Sequence, residues 1–413
     1  MNIATKLARP EDVGLNADRL AAIPDYFGSY VDKGKLAGLS TLVSRRGQIV
    51  HFESIGKRDR DLGAPMERDS IFRIYSMSKP ITSVALMMLF EEGHFQLNHE
   101  VSRYIPEFRK LRVWAGGTNA AWATKEPARP MTIRDLLTHT SGLTYDFMNQ
   151  HPVDRLYRRA GIDSLAKDKM TLKEMIERLA EIPLLFSPGE FWNYSVATDV
   201  CGYLIEVLSG RPLDEFLQSR IFMPLGMVDT GFTVPKEKLH RFTANYEKNA
   251  QTGETRLVDR SDETSAYVKA KPFLSGGGGL VSTMTDYWRF CQMCLNGGEL
   301  DGTRVISRKT LEFMRLNHLP GGRTMKEMSL SSFGELAAEG AGFGLGFQVI
   351  LDPAEAQSIG SVGNYSWGGA ASTYFWIDPE EEIVAILMTQ LMPSSTYPLR
   401  PQMQQLVYAA IED

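Results

Sequence analysis

Phe72-Arg73-Ile74-Tyr75-Ser76-Met77-Ser78-Lys79-Pro80 leads into the apolar run of residues 81–90, and the reading of the fold turns on this stretch. Val84, Ala85, Leu86, Met87, Met88, Leu89 and Phe90 make a helix apolar on nearly every face, which belongs in a core. Pro80 falls in the first turn, where a missing N–H costs least, and Glu91-Glu92-Gly93 supplies a glycine end. Upstream, Ile71 to Tyr75 reads as a buried approach. Ser76 and Lys79 stand three apart and are therefore neighbours on one helical face, at the mouth of a buried helix. Burial strips water from the Lys79 ammonium and lowers its pKa from about 10.4, so the amine can serve as a base near neutral pH. A serine and a lysine so placed form a nucleophile and base without any histidine.

The pattern Ser-x-x-Lys is weak by itself, since about one or two matches arise by chance in a chain of this length. Ser164-Leu165-Ala166-Lys167 is such a match, but Asp163, Asp168 and Lys169 around it mark a solvated loop. Context singles out Ser76.

The 413 residues suggest two or three domains, or one large domain carrying an insertion. Hydrophobic content of 43% permits sizeable cores, and 23% charged residues is ordinary for a soluble protein. A net charge of -5 without any basic cluster argues against a nucleic-acid partner. Residues 1–10 lack the apolar core of a signal peptide, and no run approaches a membrane span, so the expectation is a cytoplasmic protein without a membrane partner. Cys201, Cys291 and Cys294 cannot build a disulfide framework. Cys291-Gln292-Met293-Cys294 lies in an amphipathic helix with no second ligand pair, and the seven histidines are scattered, so neither metal nor cofactor is expected.

Residues 17–33 read as helical, and residues 40–44 and 48–53 as a hairpin around Arg45-Arg46-Gly47. Toward the other end, residues 343–351 read as one strand. Residues 371–377 and 382–389 form a second hairpin across Asp378-Pro379-Glu380, and residues 403–411 a closing helix. Helices dominate the middle, where Thr132-x-x-Asp135 and Thr171-x-x-Glu174 resemble capping boxes and Pro183 and Gly210 mark helix ends. The expected class is α/β (α+β), with terminal strands joined in one antiparallel sheet flanked by helices. Residues 1–84 and 271–413 would form this α/β domain, residues 85–270 a mostly helical insertion, and the junction would hold the site. Gly276-Gly277-Gly278-Gly279 is a turn without the Lys-Ser/Thr of a phosphate loop.

The serine needs a proton relay and oxyanion donors. Tyr194, in Phe191-Trp192-Asn193-Tyr194-Ser195, precedes the apolar helix of residues 196–208, whose positive end would favour a phenolate. The competing reading is an aromatic staple at the helix entrance. Trp367-Gly368-Gly369-Ala370 opens a strand where glycines let a substrate approach backbone N–H groups, or else marks a bend. His139 and Ser141 are a second pair that suits a helix cap better than a dyad, and Gly-x-Ser-x-Gly does not occur.

Taken together, these motifs resemble the serine β-lactamase-like superfamily, which includes class C β-lactamases and penicillin-binding proteins, and within it the family VIII carboxylesterases. Gly14-Leu15, the residue 72–80 stretch, Leu136-Leu137-Thr138-His139-Thr140-Ser141-Gly142-Leu143, Pro188-Gly189, Tyr194-Ser195, Pro224-Leu225-Gly226-Met227, residues 277–283 and Trp367-Gly368-Gly369 carry the resemblance over nearly the whole chain. It implies Ser76 as nucleophile, Lys79 and Tyr194 as its proton-transfer partners, and the backbone N–H groups of Ser76 and Ala370 as oxyanion donors. Two departures bear on substrate. Tyr194-Ser195-Val196 stands where β-lactamases carry Tyr-x-Asn, and Trp367-Gly368-Gly369 where they carry Lys-Thr-Gly. Both favour a neutral, short- to medium-chain acyl ester over a β-lactam. A β-lactamase, a D-amino-acid peptidase and an acyltransferase are the alternative enzymes, and a scaffold with a dead site the non-enzymatic one. The expected partner is a small-molecule ester, with the chain a monomer or homodimer.

Overall fold

The structure is a computed structural model that describes residues 7–118, 120–162, 170–330 and 339–413. The second Ser-x-x-Lys, at Ser164, lies outside the described residues. Eight strands form one antiparallel sheet: β1 (Gly38–Arg45), β2 (Gln48–Asp59), β3 (Ala64–Pro65), β4 (Ala341–Phe343), β5 (Gln348–Ile350), β6 (Tyr365–Gly369), β7 (Thr373–Asp378) and β8 (Ile383–Thr389). Their spatial order is β4-β5-β6-β7-β8-β1-β2-β3, so β8 pairs with β1 and joins the two ends of the chain.

Alternation along the strands divides the sheet between two cores. Leu39, Val43, Tyr374, Trp376, Ile383, Ala385 and Leu387 face Ile23 and Phe27 of helix α1 (Ala22–Asp32) and Met403 and Val407 of the C-terminal helix (Leu399–Tyr408). Leu42, Phe375, Ile377, Val384, Ile386 and Met388 face the larger core, with Ile81 and Val84 of α2 (Ser78–Glu91). Every residue from Ser78 to Leu89 is buried, the consequence of an apolar surface on all sides. Helix α3 (Ala197–Ser209) packs against α2.

Several sequence expectations shift. The 17–33 helix is broken at Ala21, with Asn16 capping a short first turn. Residues 343–351 are not one strand but parts of β4 and β5, turned back by Gly344 to Phe347. Gly346 there has φ +99°, and a Cβ on it would stand 2.3 Å from Ser83 Oγ of α2, so the turn needs glycine. Trp367-Gly368-Gly369 does not open the 371–377 strand. It closes a strand of its own, β6, and Ala370 sits in the turn to β7. The closing helix begins at Leu399 rather than Met403 and ends at Tyr408. The two capping boxes form as expected, at Thr132 with Asp135 and Thr171 with Glu174.

Candidate active site

Ser76 is not on α2 itself. It occupies a 3-10 turn, Tyr75–Met77, that feeds directly into the helix. Tyr75 has φ +43°, a conformation a non-glycine residue adopts at a cost of roughly 1–3 kcal/mol. The turn is held from below by Arg73, fully buried, whose guanidinium donates to Asp259 Oδ2 at 2.8 and 2.6 Å and to the Thr243 carbonyl at 2.5 Å. Its charge also lies 4.0 Å from the centre of the Phe242 ring.

Three side chains meet at the turn. Lys79 Nζ donates to Ser76 Oγ at 3.1 Å, and the Tyr194 hydroxyl donates to the same oxygen at 2.6 Å. Lys79 also donates to the Gly277 carbonyl at 2.6 Å and lies 4.5 Å from the centre of the Tyr194 ring. Lys79 and Tyr194 are buried, while Ser76 is partly open. Burial brings the Lys79 pKa down from 10.5 to about 7, against the opposing pull of Asp199. The amine can therefore be neutral, and basic, near pH 7.

Tyr194 does not behave as the helix-end argument expected. Burial drives its pKa well above the usual 10, outweighing the hydrogen bond with Ser76. Desolvation of a phenolate costs more than the first turn of α3 returns, so the neutral, donating phenol is favoured. Its ring is enclosed by His139 (5.1 Å between ring centres), Tyr145 (5.2 Å) and Trp367 (5.6 Å).

Trp367 is buried and packs edge-on against Phe343, so it supports the tyrosine rather than standing open as a wall. Its Nε1–H has no partner within hydrogen-bonding geometry, yet lies close enough to Tyr194 to oppose the burial effect. Gly369 is needed for approach: a Cβ there would stand 2.4 Å from the Ile74 carbonyl, two residues ahead of Ser76. Its neighbour Ala370, partly open, follows in the turn between β6 and β7. Gly368, on the other face of β6, leaves room for the Arg400 guanidinium of the C-terminal helix.

His139 pairs through Nδ1 with Ser195 Oγ at 3.2 Å rather than with Ser141, and burial followed by the Lys79 charge keeps it neutral. Sequence reasoning missed three contributors: Asp199, the Gly277 carbonyl and Tyr145. Asp199 was detectable as the carboxylate placed among the apolar residues of α3. Two clefts, of about 550 and 430 Å³, lie elsewhere, the first beside Arg46 and Arg315, the second beside Phe222 and Val228. Ser76, Lys79 and Tyr194 line neither, so proximity of reactive groups, not cleft volume, locates the site.

The family model described as Beta-lactamase matches residues 23–409. The chain belongs to the β-lactamase family. An uncharacterized Mycobacterium tuberculosis protein is 36% identical over 88% of this chain and 88% of its own length. Esterase EstB of Burkholderia gladioli is 31% identical over 97% of this chain and 98% of its own. Among solved structures, EstCE1, described as a hydrolase with promiscuous acyltransferase activity, superposes with a TM-score of 0.78 at 27% identity, covering 95% of this chain and 98% of its own. The antiparallel sheet with helices on both faces is thus the β-lactamase-like fold. Among the described residues no helix is long and apolar enough to cross a membrane.

Proposed function

We propose that the chain is a serine carboxylesterase acting on short- to medium-chain acyl esters through an acyl-enzyme on Ser76. The observation that carries the reading is one oxygen, Ser76 Oγ, within hydrogen-bonding distance of both a buried amine with a pKa of about 7 and a neutral phenol. Neutral Lys79 takes the Ser76 proton as Oγ attacks the ester carbonyl. The Ser76 and Ala370 N–H groups receive the developing oxyanion. When the C–O bond breaks, Tyr194 gives its proton to the leaving alkoxide and is reprotonated by the Lys79 ammonium, 4.5 Å from its ring. Water, deprotonated by the same pair, then releases the acid and restores Ser76.

Esters rather than β-lactams are favoured by Ser195-Val196 and Trp367 at positions where β-lactamases carry amide and cationic groups. Esterase EstB supports the reading. Acyl transfer to a second alcohol is the next reading, favoured by Monacolin J acid methylbutanoyltransferase of Aspergillus terreus, 28% identical over 80% of this chain. Initial rates of p-nitrophenyl butyrate hydrolysis for wild type, Ser76→Ala and Ser164→Ala test the proposal. Activity lost only in Ser76→Ala is expected, and activity that survives Ser76→Ala refutes it. Adding a second alcohol and assaying for the new ester separates transfer from hydrolysis.

A further inference from the structure

Lys79 is held by a carbonyl as well as by the serine, and that carbonyl has its own support. The Ser275-Gly276-Gly277 segment is tied to α2 by Thr82 Oγ1, which donates to the Gly276 carbonyl at 2.8 Å, and by Lys79 at the Gly277 carbonyl. Further on, the Leu280 N–H donates to Ser78 Oγ at 3.1 Å. On its other side the segment meets one carboxylate. Asp199 Oδ1 accepts from Ser275 Oγ at 2.5 Å and from the Gly277 N–H at 3.1 Å. Asp199 itself is completely buried. A Cβ on Gly277 would stand 2.8 Å from Asp199 Oδ2, so glycine is what lets carboxylate and turn close up.

We propose that Asp199 is a positioning residue for the Lys79 base: its carboxylate fixes the Ser275–Gly277 turn so that the Gly277 carbonyl holds the amine against Ser76. This rests on the reading of Lys79 as base. A buried carboxylate needs a reason to remain in an apolar helix, since burying a charge is costly unless it is hydrogen-bonded and paired. Here two donors reach its Oδ1, and a lysine bonded to the carbonyl of the same Gly277 supplies the opposite charge. The same charge bears on protonation. Around Lys79 stand the Tyr194 and Tyr145 phenols, the neutral His139 and the Asp199 carboxylate, with Arg400 acting on Tyr194 from the C-terminal helix. Of these Asp199 is the group that raises the Lys79 pKa, in opposition to burial. Removing the charge should therefore make the amine a weaker base that loses its proton at lower pH. Removing the carboxylate altogether should also loosen the turn.

Asp199→Asn keeps an oxygen for the two donors and removes the charge, Asp199→Ala removes both, and Ser275→Ala keeps the charge but deletes one anchor. The Lys79 titration, followed by NMR of protein carrying [ε-13C]lysine and assigned with Lys79→Met, is expected to move to lower pH in Asp199→Asn and to stay in place in Ser275→Ala. The acid limb of kcat/KM should move with it. Asp199→Ala should lose about 100-fold in kcat with KM within about twofold, the scale of a misplaced catalytic group. Ser275→Ala should lose about tenfold in the same way. A Lys79 titration unmoved in folded Asp199→Asn overturns the proposal. If the Asp199 variants do not fold, wild-type kcat in Ser275→Ala overturns it instead. Wild-type protein without esterase activity would refute the functional reading, while the NMR titration would still decide the role of Asp199.

Discussion

Replacing Lys79 with methionine should cripple activity and make the protein more stable, and the gain can be worked from the burial of the amine. Lys79 has a pKa of about 7 in the folded chain against 10.5 for an ordinary lysine. The 3.5-unit difference corresponds to roughly 5 kcal/mol against folding when the group must be protonated, at about 1.4 kcal/mol per unit. Methionine fills similar volume without a charge to desolvate. It cannot donate, so the Gly277 carbonyl loses its 2.6 Å bond, at a cost of about 1–3 kcal/mol. A net gain of roughly 2–4 kcal/mol near and below pH 7 follows from these two magnitudes. The sign with pH is fixed by linkage. Between pH 7 and 10.5 the unfolded lysine binds a proton that the folded one does not, so wild-type stability rises with pH there. The advantage of Lys79→Met must therefore be largest below pH 7 and shrink toward pH 10.5. Urea unfolding of both proteins at pH 6 through 10 reads this difference, with other titrating groups cancelling between them. A stability difference that does not change with pH, or a variant less stable at pH 6 than at pH 10 relative to wild type, refutes the burial argument. Hydrolysis of p-nitrophenyl butyrate by Lys79→Met should fall ~100- to 10,000-fold, the range for losing a general base.

Three other outcomes follow from the same geometry. The kcat/KM profile should rise from the acid side with an apparent pKa near 7, that of Lys79 in the free enzyme, and a limb near 4 in its place would point to a carboxylate base. Because burial pushes the Tyr194 phenol upward, no alkaline loss assignable to it should begin below pH 10. Tyr194→Phe keeps the ring contacts with His139, Tyr145 and Trp367 but loses the proton donor. Its kcat should fall ~100- to 10,000-fold without a large change in melting temperature, and retained kcat would remove Tyr194 from the chemistry. Gly369→Ala places a methyl 2.2 Å from Thr373 Oγ1 and 2.4 Å from the Ile74 carbonyl, so β6 must move off the nucleophile turn. A loss of about 1–3 kcal/mol in urea stability together with most activity is expected, and wild-type values for both would contradict the close approach.

The strands and helices that were legible are those whose burial follows a simple period. The β1–β2 and β7–β8 hairpins alternate between two buried cores, and α2 is apolar all round, so pattern alone places them. β6 was illegible for a physical reason. Its Gly368 and Gly369 have no strand preference, and they are there because Arg400 on one face and Ile74 on the other leave no room for a side chain. The β4–β5 turn was hidden similarly, the glycine at Gly346 dictated by contact with Ser83 of α2, far away along the chain.

The reacting pair was readable because serine and lysine are brought together by three-residue spacing, a local property of the chain. Tyr194 was readable only through its place before a helix and the family resemblance, and what Asp199, Tyr145 and the Gly277 carbonyl do there was not readable, because these groups converge through tertiary packing. Tyr194 reaches Ser76 from 118 residues away, and Gly277 reaches Lys79 from 198. The error over Tyr194 is instructive in the same terms. A helix N-terminus is visible in sequence and argues for a lowered pKa, through about 0.3–1 kcal/mol of stabilisation of the phenolate. The desolvation that overrides it comes from burial of the Tyr194 ring among others, His139 and Tyr145 included, which no local pattern assembles around it. The consequence reaches the mechanism. A phenolate would compete with Lys79 for the Ser76 proton, whereas a buried neutral phenol leaves that proton to the lysine and keeps its own for the leaving group. Burial thus divides base from acid between two groups that both touch one serine oxygen.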